Sequence, residues 1–151
     1  IYNATIPHRL ATADTVQVPI DSRVAWFRAH TPDRRPLWVA DAGGTVAAWL
    51  SLSSFYGRPA YHRTAELSVY VAESHRRRGL ARRLVGEAVQ RGPALGLTTL
   101  LGFVFVHNEP SVQLLAGLGF ARWGPLPRVA ELDGVERDLL ILGRRLDGVA
   151  A

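Results

Sequence analysis

Residues Leu67-Ser68-Val69-Tyr70-Val71 and, after an interval of four residues, Arg76-Arg77-Arg78-Gly79-Leu80-Ala81 join a strand pattern to the start of a helix. The β-rich alternation from Thr64 to Val71 predicts a strand, because successive side chains of a strand point to opposite faces. Apolar residues recur at helical spacing from Gly79 to Arg91 and predict a helix. The turn between them contains glycine and is strongly basic. This order predicts an α/β domain in which the helix belongs to a β-α-β crossover.

The basic turn predicts a binding site for an anion. A turn of this kind points several backbone N–H groups at one place, and the helix dipole adds positive potential there. Gly79 permits a positive φ or the close approach of a ligand, and Ala81 is small enough not to obstruct one. The segment has neither the Gly-Lys-Ser/Thr of a Walker A loop nor G-x-G-x-x-G. We therefore expect a pyrophosphate site, with a solvated, arginine-rich helix start as the alternative.

The charge of the chain is concentrated in the same turn. All 18 basic residues are arginine, and the net charge is +5. Five arginines belong to the turn and the helix start, and the other 13 equal in number the 13 acidic residues. Such a cluster suits a compact polyanion, whereas a nucleic-acid binder more often spreads its charge along a face. We therefore expect a phosphorylated cofactor and no nucleic-acid partner.

The remaining patterns complete a mixed α/β order. They predict helices over Asp21–Ala29, with Asp21 as the N-cap, and over Pro110–Leu118, and strands over Leu37–Ala42, Thr45–Phe55, Thr98–Val106, Phe120–Arg128 and Val135–Leu146. Gly43-Gly44 and Asp133-Gly134 predict hairpin turns. The four tryptophans are expected in the core, and the first 18 residues remain ambiguous.

Length and composition exclude several classes of protein. A chain of 151 residues predicts one domain spanning residues 1–151. Without Cys it has no disulfide, catalytic thiol or cysteine-bound zinc. The histidines show no metal-ligand spacing, so we expect no metal. No run approaches the roughly 18 apolar residues of a membrane span, so we expect no membrane partner and a cytoplasmic location.

The motif Arg76-x-x-Gly79-x-Ala81 resembles the Q/R-x-x-G-x-G/A signature of the GNAT N-acetyltransferase superfamily. Asn108-Glu-Pro-Ser111 is similar to the N-x-x-S/A step after the family's next strand. Ala65–Val71 and Arg58-Pro59-Ala60-Tyr61 are similar to the phosphinothricin and methionine-sulfoximine acetyltransferases. The resemblance implies a GNAT-like fold, a central mixed sheet with splayed strands flanked by helices. It also implies that the family's first strand lies outside this sequence, with Ile1 inside the family's first helix.

The resemblance further implies acetyl-CoA as the co-substrate, held between the two splayed strands. Its pantetheine would pair with the backbone of Val69 and Val71, beside Tyr70, and Asn108 would hydrogen-bond the pantetheine arm. Its pyrophosphate would lie on the turn and helix start, where the candidate ligands are Arg76, Arg77, Arg78, Gly79, Leu80, Ala81 and Arg82.

Glu66 is the candidate catalytic base. It shares a strand face with Ser68 and Tyr70, and a carboxylate on an inner strand is costly unless it is used or paired. A primary amine is mostly protonated at pH 7, so a base must remove a proton before attack. A structural salt bridge is the alternative for Glu66. The family's frequent general acid is a Tyr, and Leu115 stands in its place; His107 is a weaker candidate for protonating the leaving thiolate.

Arg58 is the candidate ligand for an anionic group of the acceptor, with Phe55 and Tyr61 as pocket walls. The resemblance implies transfer of an acetyl group to the primary amine of a small amino-acid-like substrate, by direct attack in a ternary complex. The alternatives are another amine, a protein N-terminus, a non-catalytic acyl-CoA-binding module or a basic nucleic-acid binder. The branch resembled is commonly homodimeric, so a homodimer is expected.

Overall fold

The structure is a computed structural model, and it describes residues 1–146. Its helices and strands are α1 (Tyr2–Thr5), α2 (Ile20–Arg28), β1 (Leu37–Asp41), β2 (Val46–Ser54), β3 (Thr64–Val71), α3 (Leu80–Arg91), β4 (Thr99–Phe105), α4 (Glu109–Ala116), β5 (Ala121–Leu132) and β6 (Val135–Arg145). The predicted mixed α/β order is confirmed. Short 3₁₀ turns connect several of these elements.

The six strands form one mixed sheet in the order β1-β2-β3-β4-β6-β5. All neighbouring pairs are antiparallel except β3 and β4, which are parallel and are linked by the crossover through α3. Because β3 and β4 are internal strands, each carries a mostly apolar run, and Ala65, Leu67 and Leu100 are buried.

The core lies between the sheet and the helices α3 and α4. Leu84, Val85 and Ala88 of α3 recur at helical spacing and are buried against β2 and β3. Val69 and Val71 pack on the edge of this core, on the face of β3 opposite to Glu66 and Tyr70. The face of the sheet that carries Glu66 is therefore the one that does not pack against α3 and α4.

The bounds of α2, α4 and β5 differ from the predictions, and α4 ends at Ala116, two residues before the predicted Leu118. Helix α2 begins at Ile20 with Pro19 as its N-cap and has no side-chain capping bond, so Asp21 lies inside the first turn. Its apolar residues do not form one buried face, because Phe27 remains 63% exposed. Strand β5 extends to Leu132, four residues beyond the prediction, since the tight Asp133-Gly134 turn lets the β5–β6 ladder resume next to it after an irregular stretch.

Arg35 anchors the connection between β2 and β3. This residue is 6% exposed, and its guanidinium donates to the Ser54 hydroxyl, to the Arg34 carbonyl and to the His62 carbonyl. Burial lowers the pKa of Arg35, because the charged form loses hydration. The loop that carries Arg58 and Tyr61 is therefore tied to the start of β1 by neutral acceptors rather than by a carboxylate.

Candidate active site

A cavity of about 730 Å³ opens where β3 and β4 separate. These strands pair only at Thr64–Thr99, Ala65–Leu100 and Glu66–Leu101, after which both continue without pairing to each other. The cavity is lined by residues of β2, β3 and β4, by Asn108 and residues of α4, by three residues of β5 and β6, and by the chain around α1 and α2. The splay implied by the resemblance is confirmed.

The hydrogen-bond pattern of β3 leaves backbone groups free inside the splay. The Ala72 N–H donates to Ala47, and the Thr64 carbonyl accepts from Phe55. Bonds in an antiparallel ladder recur at every second residue, so the even-numbered residues of β3 bond to β2. The N–H and C=O groups of Val69 and Val71 therefore point toward β4, where no strand pairs with them in the described part of the chain.

Glu66 lies at the point where the strands separate. Its side chain is partly buried and lines the cavity, and within residues 1–146 it has no hydrogen bond and no ion pair. Burial raises the pKa of the Glu66 carboxyl, because desolvation disfavours the anion. The described residues therefore do not form the structural salt bridge that is the alternative role for Glu66. A carboxylate with a raised pKa is a stronger base than one in water.

The basic turn has the backbone geometry of an anion site. Gly79 caps α3 with a left-handed φ of 76°, and Arg77 has a φ of 59°. No side chain caps α3, so its first N–H groups have no side-chain acceptor. The cluster from Arg76 to Arg83 is exposed, and none of its arginines belongs to an ion pair in the described residues. The turn can therefore offer a phosphate both N–H groups and cations that no carboxylate of the described residues neutralises.

Asn108 both lines the cavity and makes a structural contact, whereas its neighbours Leu115 and His107 bring no free polar group to the cavity. Asn108 is buried, lines the cavity and caps α4 by accepting from the Ser111 N–H through Oδ1, which leaves its amide NH₂ as a donor. Leu115 is buried against Gly102 and brings no hydroxyl to the cavity. The ring of His107 contacts the Arg9 carbonyl at 2.9 Å through Nε2. His107 therefore has a structural contact of its own.

The residues predicted to bind the acceptor substrate fall into two sets, one inside the cavity and one outside it. Phe55 lines the cavity, and its ring centroid is 5.3 Å from that of Tyr61. Arg58 is exposed on the β2–β3 loop, and neither Arg58 nor Tyr61 is among the lining residues. Their roles in binding stay predictions that would require the loop to close over the cavity.

A group of aromatic side chains that was not expected from the sequence forms the end of the cavity away from Glu66. It consists of Tyr2, Trp26, Trp49 and Tyr70, and we call it the aromatic end. The placement of Trp26 and Trp49 in the core is therefore wrong, and so is that of Trp123, which is 48% exposed. Period-two patterning puts Trp49 on the same sheet face as Glu66, and only that weak signal pointed to the cavity.

Tyr70 belongs to this aromatic end rather than to the free strand edge. Its ring stacks on Trp49 with centroids 4.8 Å apart, and its hydroxyl donates to the Ala11 carbonyl at 3.2 Å. Its backbone bonds to β2, as for the other even-numbered residues of β3. Burial raises the pKa of Tyr70. Contact of Tyr70 with the cofactor stays a prediction.

Within residues 1–146, no three His, Asp or Glu side chains come together in a way that could hold a metal ion. No helix of this part of the chain is long and apolar enough to cross a membrane.

Comparison with known proteins places the chain among acetyltransferases. The profile of the Acetyltransferase (GNAT) family matches residues 6–120. The chain is 50% identical to YwnH of Bacillus subtilis (strain 168), a provisionally assigned phosphinothricin acetyltransferase, over 97% of this chain and 90% of that protein. It is 30% identical to the L-methionine sulfoximine/L-methionine sulfone acetyltransferase of Pseudomonas aeruginosa, over 97% and 86% of the two chains.

A solved structure shows the same fold with the co-substrate bound. It is the crystal structure of a GNAT superfamily phosphinothricin acetyltransferase from Sinorhizobium meliloti in complex with AcCoA. Its TM-score is 0.89 at 26% identity, and the match covers 96% of this chain and 79% of the other.

Proposed function

The chain belongs to the GNAT family as an acetyl-CoA-dependent N-acetyltransferase, and from that premise we propose that it acetylates the primary amine of a small amino-acid-like substrate. The acceptor is of the phosphinothricin or methionine-sulfoximine type, which are the substrates in the names of its relatives. We propose direct attack of the amine on the thioester, in a complex that holds both substrates.

One observation carries this proposal. At the point where β3 and β4 separate, the unpaired carboxylate of Glu66 lies three residues before Val69, where the free strand edge begins. The strand edge suits the amide groups of pantetheine, because an extended chain can pair with it as a further strand would. An acetyl group at the end of that pantetheine would lie near Glu66, with the acceptor amine on the other side of it.

In the proposed reaction a C–N bond replaces the C–S bond of the thioester, and residues of the chain assist the proton transfer from the amine. Glu66, directly or through water, takes a proton from the ammonium group, and the free amine then attacks the thioester carbonyl carbon. A backbone N–H near Val69 stabilises the negative charge that develops on the carbonyl oxygen. The C–N bond forms, the C–S bond breaks, and the nitrogen releases its second proton, which passes to the leaving thiolate directly or through water. Leu115 cannot supply that proton, so we propose no dedicated side-chain acid.

The basic turn and Asn108 hold the co-substrate in this proposal. The pyrophosphate binds to the arginines from Arg76 to Arg82 and to the backbone N–H groups of Gly79, Leu80 and Ala81. The dipole of α3 stabilises its negative charge. The NH₂ of Asn108 donates to the pantetheine arm while its Oδ1 caps α4. We also propose a homodimer, which sedimentation equilibrium tests directly.

The experiment that tests the function measures free-thiol release from acetyl-CoA with a panel of amines. We expect the highest kcat/KM for phosphinothricin, methionine sulfoximine or methionine sulfone, and low turnover with simple alkylamines. Mass spectrometry of the product should show one acetyl group on the α-amine. Turnover with peptide N-termini and none with free amino acids would contradict the proposal. A small amine without a carboxylate as the best acceptor would also contradict it.

A further inference from the structure

Arg23 is a cation in the wall of the cavity, and the described residues give it no polar partner. Its guanidinium carbon lies 4.2 Å from the centroid of the Trp26 ring and 5.2 Å from that of Tyr2. Within residues 1–146, no hydrogen bond and no ion pair includes Arg23. Asp14 accepts a hydrogen bond from the Tyr2 hydroxyl and does not pair with Arg23.

The contact of Arg23 with the Trp26 ring bears on how Arg23 can bind a ligand. A guanidinium that lies over an aromatic face keeps its N–H donors at the edge of its own plane, where they remain free for acceptors. Two parallel N–H groups match two oxygens bound to one carbon, phosphorus or sulfur. Among the lining residues that the structure describes, Arg23 and Glu66 are the two charged side chains. The cavity therefore offers one cation and one carboxylate.

These two groups lie at different ends of the cavity. The β2–β3 register sets Trp49 opposite Tyr70 and Ser53 opposite Glu66. Tyr70 and Glu66 are four residues apart on β3, which is about 13 Å in an extended strand. The Trp26 ring, on which Arg23 stacks, is 5.6 Å from the Trp49 ring. Arg23 is thus placed at the aromatic end, far from Glu66, the proposed acceptor of the proton from the amine.

We propose that Arg23 binds a negatively charged group with two oxygens on one atom at the far end of the acceptor side chain, such as a carboxylate or a phosphinate. This inference rests on the proposed function, since it assumes that the amine lies at Glu66. The α-carboxylate cannot be the partner of Arg23, because that group is only one carbon from the amine. Arg23 therefore selects acceptors by their tails.

The test compares two acceptors that share an α-amine and an α-carboxylate. Phosphinothricin carries an anionic tail, and norleucine carries an apolar tail of similar length. In Arg23→Gln we expect kcat/KM for phosphinothricin to fall ten- to hundred-fold, as for the loss of a hydrogen-bonded charge. For norleucine we expect a change of less than threefold. Arg28→Gln is the matched control, since Arg28 is exposed on the same helix.

Two results would overturn the inference. The first is an equal loss with both acceptors, which would mean that Arg23 acts on the fold or on the common part of the substrate. The second is a wild-type enzyme that does not prefer phosphinothricin to norleucine. Where thermal melting shows Arg23→Gln to be unfolded, Arg23→Lys keeps the charge without the fork, and a selective loss with phosphinothricin is again required. Failure of the proposed function is seen separately, as absence of turnover with every amino acid by the wild type.

Discussion

We propose a ligand for each of two regions, pyrophosphate at the basic turn and the acceptor tail at the aromatic end of the cavity, and these regions are built in different ways. The turn is one continuous segment, and its shape depends on the backbone of Arg77 and Gly79. The aromatic end takes side chains from α1, α2, β2 and β3, which are far apart in sequence. The first kind of site depends on local conformation, whereas the second depends on the whole fold. Substitutions should therefore affect the two regions differently.

The largest expected effect lies at Glu66, which belongs to neither region and occupies the end of the cavity away from the aromatic end. Glu66→Gln keeps the size of the side chain and removes the proton acceptor, so kcat should fall roughly 10²- to 10⁴-fold, as is typical for loss of a general base. The KM for acetyl-CoA should change little. Steady-state kinetics from pH 6 to pH 10 check this, and the defect should shrink at high pH, where the amine deprotonates unaided.

The control for this substitution is Glu131→Gln, because Glu131 is an exposed carboxylate on β5. It should retain wild-type kcat. Near-normal rates for Glu66→Gln at pH 7 would separate Glu66 from the chemistry and would make the cavity only a binding site.

Arg58 should affect the acceptor and leave the co-substrate unchanged. If the β2–β3 loop closes so that Arg58 binds the α-carboxylate, Arg58→Ala should raise the KM for the amino acid roughly ten- to hundred-fold. The KM for acetyl-CoA should stay within twofold. Arg63→Ala is a matched control, since Arg63 is an exposed arginine at the end of the same loop. An unchanged acceptor KM would remove Arg58 from the substrate site.

Gly79 tests the basic turn through its backbone. A Cβ at Gly79 meets nothing within 4 Å, so the cost of Gly79→Val comes from its φ of 76° and amounts to roughly 1–2 kcal/mol of stability. The side chain would also obstruct a phosphate, so the KM for acetyl-CoA should rise about tenfold because anion contacts are lost.

Gly43→Val is the matched control for Gly79→Val. Gly43 has a φ of 66° and equally open surroundings, but it lies in the β1–β2 turn. It should lose similar stability in chemical denaturation without any change in the KM for acetyl-CoA. Equal KM values for the two variants would mean that the basic turn does not bind the phosphates.

The smallest expected effect is a dependence of stability on pH. Because burial raises the pKa of Glu66, the folded protein binds a proton more tightly than the unfolded chain does. The contribution of Glu66 to the free energy of unfolding is therefore fully present below the pKa of the unfolded state. It is lost as the pH rises through the pKa of the folded state. Glu66→Gln removes this loss, so its melting temperature relative to the wild type should be higher at pH 7.5 than at pH 4. A difference that does not change with pH would contradict the buried, unpaired state of Glu66.

The comparison of the two regions also explains what the sequence could predict. The strand, the turn and the helix from Thr64 to Arg91 were predictable, because alternation, glycine and helical spacing act over a few residues. The cation at Arg23 was missed, since its meaning depends on the rings of Tyr2 and Trp26 and on its position above β2. The tryptophans were assigned to the core because large aromatic residues are usually buried. Composition does not distinguish the interior of a protein from the wall of a cavity.

The separation of β3 from β4 also affects the mechanics of the domain. Three residue pairs next to Glu66 join the half of the sheet made by β1–β3 to the half made by β4–β6. An extended ligand paired with Val69 and Val71 would act as a temporary strand that links the two halves. Amide hydrogen exchange at these two valines should therefore slow when acetyl-CoA binds, while the β5–β6 hairpin should be unaffected. In this view the co-substrate is also a reversible structural element of the sheet.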